Sequence, residues 1–343
     1  MLFAFELSGE HDVLPRKEVF ACLSMEGLQY NEYASFDQCL VLDITGEAIE
    51  KKLIFIAGRL AMCHHIIKTA CISELFSEKI IEMCEACDLS EHLSKGQTYA
   101  VRAKRIKHHG GINRESIEGK IGGTVYRRGF RADLQNPDVT FRLIMTDKAV
   151  FGSVIASVNR SDYELRAPHK KPFFYPGVLM PRVARALVNI SQVKANEVLF
   201  DPFSGTAGIL VEGGIVGSHV IGIEVRRKIS YGARANLDEC KADYSLIVGD
   251  ACRVPLKSSC VDAIVTDPPY GRSAAIKAES LHELYSESFC EMYRVLRSGK
   301  FAVAVSEKNV SEFAKKAGFS MVDSFDQKVH KSLTRTFTVL YKD

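Results

Sequence analysis

From residue 196 onward, short apolar runs alternate with longer stretches whose apolar positions recur every three to four residues. EVLFDP (197–202), HVIGIEV (219–225), SLIVGD (245–250), DAIVTD (262–267) and KFAVAVS (300–306) are the length of buried strands. Between them, TAGILVEGGIV (206–216), RRKISYGARANLDEC (226–240) and SLHELYSESFCEMYRVL (280–296) carry helical spacing. Strand–helix alternation of this kind predicts βαβ units and a mostly parallel sheet. Two β-rich segments, FSMVDSFDQKV (319–329) and RTFTVLY (335–341), follow and suit an antiparallel hairpin that closes the sheet.

The first half is less regular. MLFAFEL reads as a strand, 15–27 as a helix opening at Pro15, and 28–33 and 39–43 as strands. Helical spacing covers 47–57 and 72–85, with the strand AMCHHIIKTA (61–70) between them. QTYAVRAKRIKH alternates, INRESIEGKIGG is a polar helix, and VTFRLIMTD and AVFGSVIASVN are strands. The pattern predicts an α+β region ending near Val158. Residues 159–177 hold Pro168, Pro172 and Pro176 among five aromatic or imidazole rings, which predicts an irregular linker or ligand-facing loop. A helix, LMPRVARALVNISQV, follows.

At 343 residues, two domains are expected. The net charge of +3 says little, but between Val101 and Arg131 nine Lys or Arg face only Glu115 and Glu118. That local basic surface suits a polyanion. No apolar run reaches membrane-spanning length, and the first residues lack the basic start and cleavage site of a signal peptide. The ten cysteines show no disulfide-framework spacing and read as reduced core thiols, which points to the cytoplasm. Cys84 and Cys87 lack a second pair, and His108 and His109 lack a third ligand, so no metal is expected.

The candidate chemistry lies at strand ends. DPFSGTAG (201–208) joins an apolar strand to a helix, where Gly205 and Gly208 permit close backbone approach to a ligand. It does not match the dinucleotide glycine pattern. Glu224 ends the next strand, where a carboxylate suits ribose hydroxyls. Asp250, beside Ala251, ends the third and suits an adenine amine, although a cap or turn aspartate is equally ordinary there. Asp267 ends the fourth, inside IVTDPPYGRSA. Pro268 and Pro269 must stop that strand. A base's exocyclic amine is a poor nucleophile because its lone pair is delocalised. Asp267 and the Pro268 carbonyl can each accept an N–H and pull the nitrogen towards tetrahedral geometry, while Tyr270 stacks on a base that is flipped or unpaired.

With TDPPYGRSA, PFFYPGVLMPRVARALVNIS and DPFSGTAGIL in place, the chain resembles the class I S-adenosylmethionine-dependent tRNA guanosine N2-methyltransferases that act at position ten. The resemblance implies an α/β, Rossmann-like seven-stranded sheet with an antiparallel C-terminal hairpin, preceded by α+β ferredoxin-like and THUMP regions. It implies boundaries at 1–50 (ferredoxin-like), 51–158 (THUMP), 159–177 (linker) and 178–343 (methyltransferase). Asp201, Phe203, Ser204, Gly205, Thr206 and Gly208 would line the methionine side of the cofactor pocket, with Glu224 on the ribose and Asp250 and Ala251 on the adenine. Asp267, Pro268, Pro269 and Tyr270 would hold the guanine. Arg102, Lys104, Arg105, Lys107, Arg127, Arg128 and Arg131 would grip tRNA phosphates. Arg166 and His169, in the linker, either face the cofactor or lie on the loop surface. Relatives often carry Cys at the position of Ser204, Gly at Ala207 and Asp at Glu224. The implied partners are tRNA and, since relatives can require one, a small zinc-ribbon activator subunit. Alternatives are the same chemistry on another tRNA or ribosomal guanosine, or a non-catalytic RNA-binding protein. Intact Asp267, Tyr270 and Glu224 weigh against the last.

Overall fold

A computed structural model describes residues 1–107, 111–270, 281–307, 309–330 and 333–343. His108, His109 and the GRSA portion of the proline motif (271–274) lie outside the described residues. The chain divides into two compact units, one of residues 1–16 and 26–159, the other of 17–25 and 160–343.

The elements of the N-terminal half are β1 (Leu2–Leu7), α1 (Leu14–Met25), β2 (Gln29–Phe36), β3 (Cys39–Thr45), α2 (Ile49–Ala57), β4 (Cys63–Ser73), α3 (Ser77–Ala86), β5 (Thr98–Arg105), α4 (Arg114–Arg127), β6 (Arg131–Ala132), β7 (Val139–Met145) and β8 (Ala149–Ser157). Their strands form one eight-stranded sheet in the order β2-β3-β1-β4-β8-β7-β5-β6. Strands from 1–50 and from 51–158 therefore share one hydrogen-bonded sheet, joined where β1 pairs with β4. Alternation puts Tyr99, Val101 and Ala103 of β5 on one face, packed with Phe141 and Phe151 under Ile80 of α3 and Ile117 and Ile121 of α4. Ala4, Val41, Ile67, Ile144 and Val150 form a second cluster. The Arg142 guanidinium donates to both oxygens of buried Glu6 at 2.8 Å, tying β7 to β1.

One expected helix starts late. Its spacing begins at Ile72, yet Cys71, Ile72 and Ser73 pair with β8, and the helix opens only at Ser77. Cross-strand pairing outweighs local periodicity there. The same pairing sets Cys71 in hydrogen-bonding contact with Cys84 and Cys87, and the contact with Cys84 leads in pushing the Cys71 thiol up to about 12. Among the described residues no group of three or more His, Cys, Asp or Glu is arranged to hold a metal.

The second half contains α5 (Ser161–Leu165), a 3-10 turn at Pro168–Lys170, α6 (Pro181–Ile190), β9 (Val198–Asp201), α7 (Gly208–Ile215), β10 (His219–Glu224), α8 (Arg227–Glu239), β11 (Tyr244–Val248), β12 (Val261–Thr266), α9 (Leu281–Val295), β13 (Leu296–Ser306), α10 (Ser311–Ala317), β14 (Ser320–His330) and β15 (Leu333–Lys342). The sheet order is β11-β10-β9-β12-β13-β15-β14, with the first five strands parallel and β15 antiparallel to both its neighbours. Phe200, Ile223 and Ile264 pack with Phe289 and Met292 of α9 and Ala314 of α10. Leu199 and Gly222 lie against α7 instead, at Gly213 and Leu210. The sheet is thus covered on both faces, as parallel strands require. Three elements depart from expectation. The linker holds α5 and the 3-10 turn where proline spacing predicts none, and α10 had no clear periodic signal over its seven residues. No described helix is long and apolar enough to cross a membrane.

Candidate active site

The sheet order brings β11, β10, β9 and β12 side by side and parallel. Glu224 and Asp201 end their strands, Asp267 follows β12 directly, and Asp250 stands two residues past β11. Four acids spread over 67 residues of sequence therefore border one sheet edge, at the carboxyl ends where open α/β sheets bind ligands.

The glycine turn is pinned from beneath. Ser204 donates its backbone N–H and its hydroxyl to the Ile223 carbonyl of β10, at 2.9 and 3.1 Å. This approach needs Gly222: a Cβ there would lie 2.9 Å from the Ser204 Cβ and 2.6 Å from the Leu210 side chain. Gly205 takes the left-handed conformation at φ +50°, and Ala207 takes it at φ +64° with its methyl fully buried. The Ser204 hydroxyl thus donates its proton to β10. Asp201 is likewise buried, with Oδ1 accepting from the Thr266 hydroxyl at 2.7 Å and from the Phe203 N–H at 3.0 Å. Burial pushes its carboxyl up to about 7. Both residues thereby hold the turn and the end of β12 in place.

Asn236 of α8 carries no sequence motif, yet its side chain spans two loops. Its amide donates to the Phe173 and Thr206 carbonyls and accepts from the Phe173 N–H. The linker is thereby tied to the glycine turn. Two residues past Phe173, the Tyr175 ring has the Arg226 guanidinium 5.2 Å from its centre. Arg226 also donates its backbone N–H and Nε to Glu224 Oε1, leaving Oε2 without a partner among the described residues. Asp250 Oδ1 accepts from the Cys252 N–H, as a turn aspartate does, and Ala251 is buried beside it. Arg166 does not reach this edge: its guanidinium pairs with both oxygens of buried Glu212 on α7, while His169 is exposed.

At the fourth strand end, the Tyr270 hydroxyl donates to Asp267 Oδ1. The buried Tyr285 hydroxyl donates to the Pro269 carbonyl at 3.0 Å. The prolines are therefore held by α9, and the Pro268 carbonyl has no partner among the described residues. Desolvation pushes the Asp267 carboxyl up to about 6, against the opposing effects of Tyr270 and Arg335. Tyr285 could not be found from the motif because it lies 15 residues beyond Tyr270.

The basic residues of the first unit divide into two groups. Arg128 donates to the Cys84, Glu85 and Cys87 carbonyls and so closes the end of α3. Arg102 bonds the Leu134 carbonyl, Arg127 pairs with Glu85, and Lys107 pairs with Asp37. Lys104, Arg105 and Arg131 are exposed and have no such partners among the described residues. The exposed pairs of Arg127 and Lys107 cost little to exchange for another anion.

A seven-stranded sheet with this order, a glycine turn and acids at successive strand ends defines a class I methyltransferase, which takes its methyl group from S-adenosylmethionine. The residues suit that donor: the turn leaves backbone room, with open space where a Gly208 side chain would stand, and Glu224 keeps one carboxylate oxygen available. The RMKL-like methyltransferase domain family matches residues 168–336, and the THUMP domain family matches 76–153. The chain is 31% identical to the tRNA (guanine(10)-N2)-dimethyltransferase of Methanothermobacter thermautotrophicus over 97% of each chain. It is 34% identical to the enzyme of that name from Pyrococcus abyssi over 71% of this chain and 74% of that one. The structure of TrmN from Thermus thermophilus shares the fold, with a TM-score of 0.53 at 19% identity over all of both chains. The chain belongs to the tRNA (guanine-N2)-methyltransferase family.

Proposed function

We propose that the chain methylates the exocyclic N2 of guanosine 10 in tRNA, adding one methyl group and then a second. The observation that carries this reading is DPPY at the fourth of four adjacent acid-bearing strand ends, in a chain of this family. Bound S-adenosylmethionine supplies an electrophilic methyl group on a sulfonium. Glu224 Oε2 accepts the ribose hydroxyls, Asp250 and Ala251 hold the adenine, and the glycine turn approaches the methionine side. Asp267 and the Pro268 carbonyl accept hydrogen bonds from the two N2–H groups, which frees the nitrogen lone pair for attack on that methyl group. Asp267, a weak base near neutrality, then takes the proton that the methylated nitrogen sheds. Tyr270 fixes one Asp267 oxygen and presents its ring to the base. Lys104, Arg105 and Arg131 meet phosphates, with Lys107 and Arg127 exchanging their protein carboxylates for them.

A cytoplasmic location fits a tRNA substrate and ten unpaired thiols. The family resemblance adds a zinc-ribbon activator subunit to the proposal. The test is incubation of unmodified tRNA with labelled methyl donor, followed by digestion and mass spectrometry. N2-methylguanosine and N2,N2-dimethylguanosine at position 10 are expected, and adding a zinc-ribbon subunit should raise turnover. A different methylated nucleoside would overturn the assignment.

The pH dependence follows from Asp267. Only its carboxylate accepts N2–H, and its pKa of about 6 lies above the ordinary aspartate range. Single-turnover rates should therefore rise through about pH 6 and level off above it. Each unit below should cost about tenfold. A rate that is flat from pH 5 to 8 would remove the carboxylate from the rate-limiting step.

A further inference from the structure

On the C-terminal hairpin, Gln327 of β14 stands directly opposite Arg335 of β15 in the antiparallel register. Opposed residues project from the same face of the sheet. Arg335 Nε and Gln327 Oε1 are both buried, and neither atom has a hydrogen-bond partner among the described residues. Buried polar atoms left unpaired are costly, so a donor and an acceptor stranded together call for a ligand that supplies the complement. The Arg335 charge lies close enough to Asp267 and Tyr270 to favour the ionised form of both. The pair therefore belongs beside the DPPY tip, although no strand-end motif marks it.

We propose that Arg335 and Gln327 read the remaining edge of the target guanine, with Arg335 donating to O6 and Gln327 accepting from N1–H. This rests on the N2-methylation reading above. On a guanine, N1–H and O6 follow N2 in order along one edge, as donor and acceptor. The stranded atoms offer the opposite set, acceptor and donor. An adenine presents an N1 acceptor and an N6 donor at these positions, so Arg335 would meet a donor and Gln327 an acceptor. DPPY activates an amine without distinguishing its base, and the hairpin pair supplies the distinction. Base-edge hydrogen bonds of this kind are worth about 1–3 kcal/mol of discrimination, or roughly 5- to 150-fold.

The test compares tRNA carrying guanosine at position 10 with tRNA carrying 2,6-diaminopurine there. The analogue keeps the N2 amine but has an acceptor at N1 and a donor at position 6. The native chain should prefer guanine in kcat/KM by roughly 10- to 100-fold. Gln327→Leu should lower kcat/KM on guanine and leave it unchanged or raised on the analogue. Arg335→Met, which also removes a charge that keeps Asp267 ionised, should lower kcat/KM more on guanine than on the analogue. Arg335→Lys should recover part of the preference, and titration with S-adenosylmethionine should give the native dissociation constant for every variant. Equal losses on both bases would overturn the proposal, pointing to phosphate binding or a structural role. So would a native chain that methylates both bases equally. Failure of the native chain to form N2-methylguanosine at all would instead overturn the parent reading.

Discussion

Asp267→Ala should lower the single-turnover rate on tRNA by about 10²–10³-fold, the usual effect of removing one fixed group that stabilises developing charge. The native nitrogen reacts only when its protons are drawn towards acceptors, and Asp267 is the charged one of the two. Its carboxylate is held in place by Tyr270 and set in a desolvated strand end, so water entering the gap would be a poorly oriented replacement. Affinity for S-adenosylmethionine should stay within about threefold of native, because the proposed cofactor contacts lie at the other strand ends. Asp267→Asn keeps an accepting oxygen without the charge and should fall between the two. Labelled-methyl transfer under single-turnover conditions and a cofactor titration separate the effects. Native-like methylation by Asp267→Ala would rule out the mechanism.

Glu224→Ala should raise the dissociation constant for S-adenosylmethionine by about 10- to 100-fold, with little change in rate once the cofactor is saturating. Hydrogen bonds to a charged acceptor contribute about 1.5–3 kcal/mol. Alanine also releases Arg226, whose N–H and guanidinium both bond Glu224 Oε1. Glu224→Gln keeps an acceptor for Arg226 while removing the charge, so it isolates the ligand contribution and should show the smaller loss. Calorimetric titration checks both variants. Unchanged affinity in each would place the ribose elsewhere on the sheet edge.

The strand–helix alternation and DPPY made the second unit legible, because buried parallel strands are short, apolar and bounded by turn residues. Expectation and structure part company at residues whose partners are distant in sequence. Ile72 looks helical by spacing but pairs with Val150. Ser204 and Asp201 look like ligand groups, and they also bond Ile223, Thr266 and the Phe203 N–H. Arg128 looks like a phosphate contact but closes α3. At the polar positions a group near a loop has two uses, and local sequence cannot tell a partner in the protein from one in the ligand. Asn236, Tyr285 and Arg335 were missed for the converse reason: their neighbours in sequence carry no motif.

The sequence by itself determined the class of chemistry. Acids after apolar runs, a glycine turn and an aspartate stiffened by two prolines depend on backbone rules that act over a few residues. Only the tertiary structure decided that those strand ends are adjacent, which protein groups each acid also bonds, and that Arg335 and Gln327 stand opposed with atoms unpaired among the described residues. Those facts depend on strand order and register, which are fixed by packing across the whole sheet and not by any local run of residues.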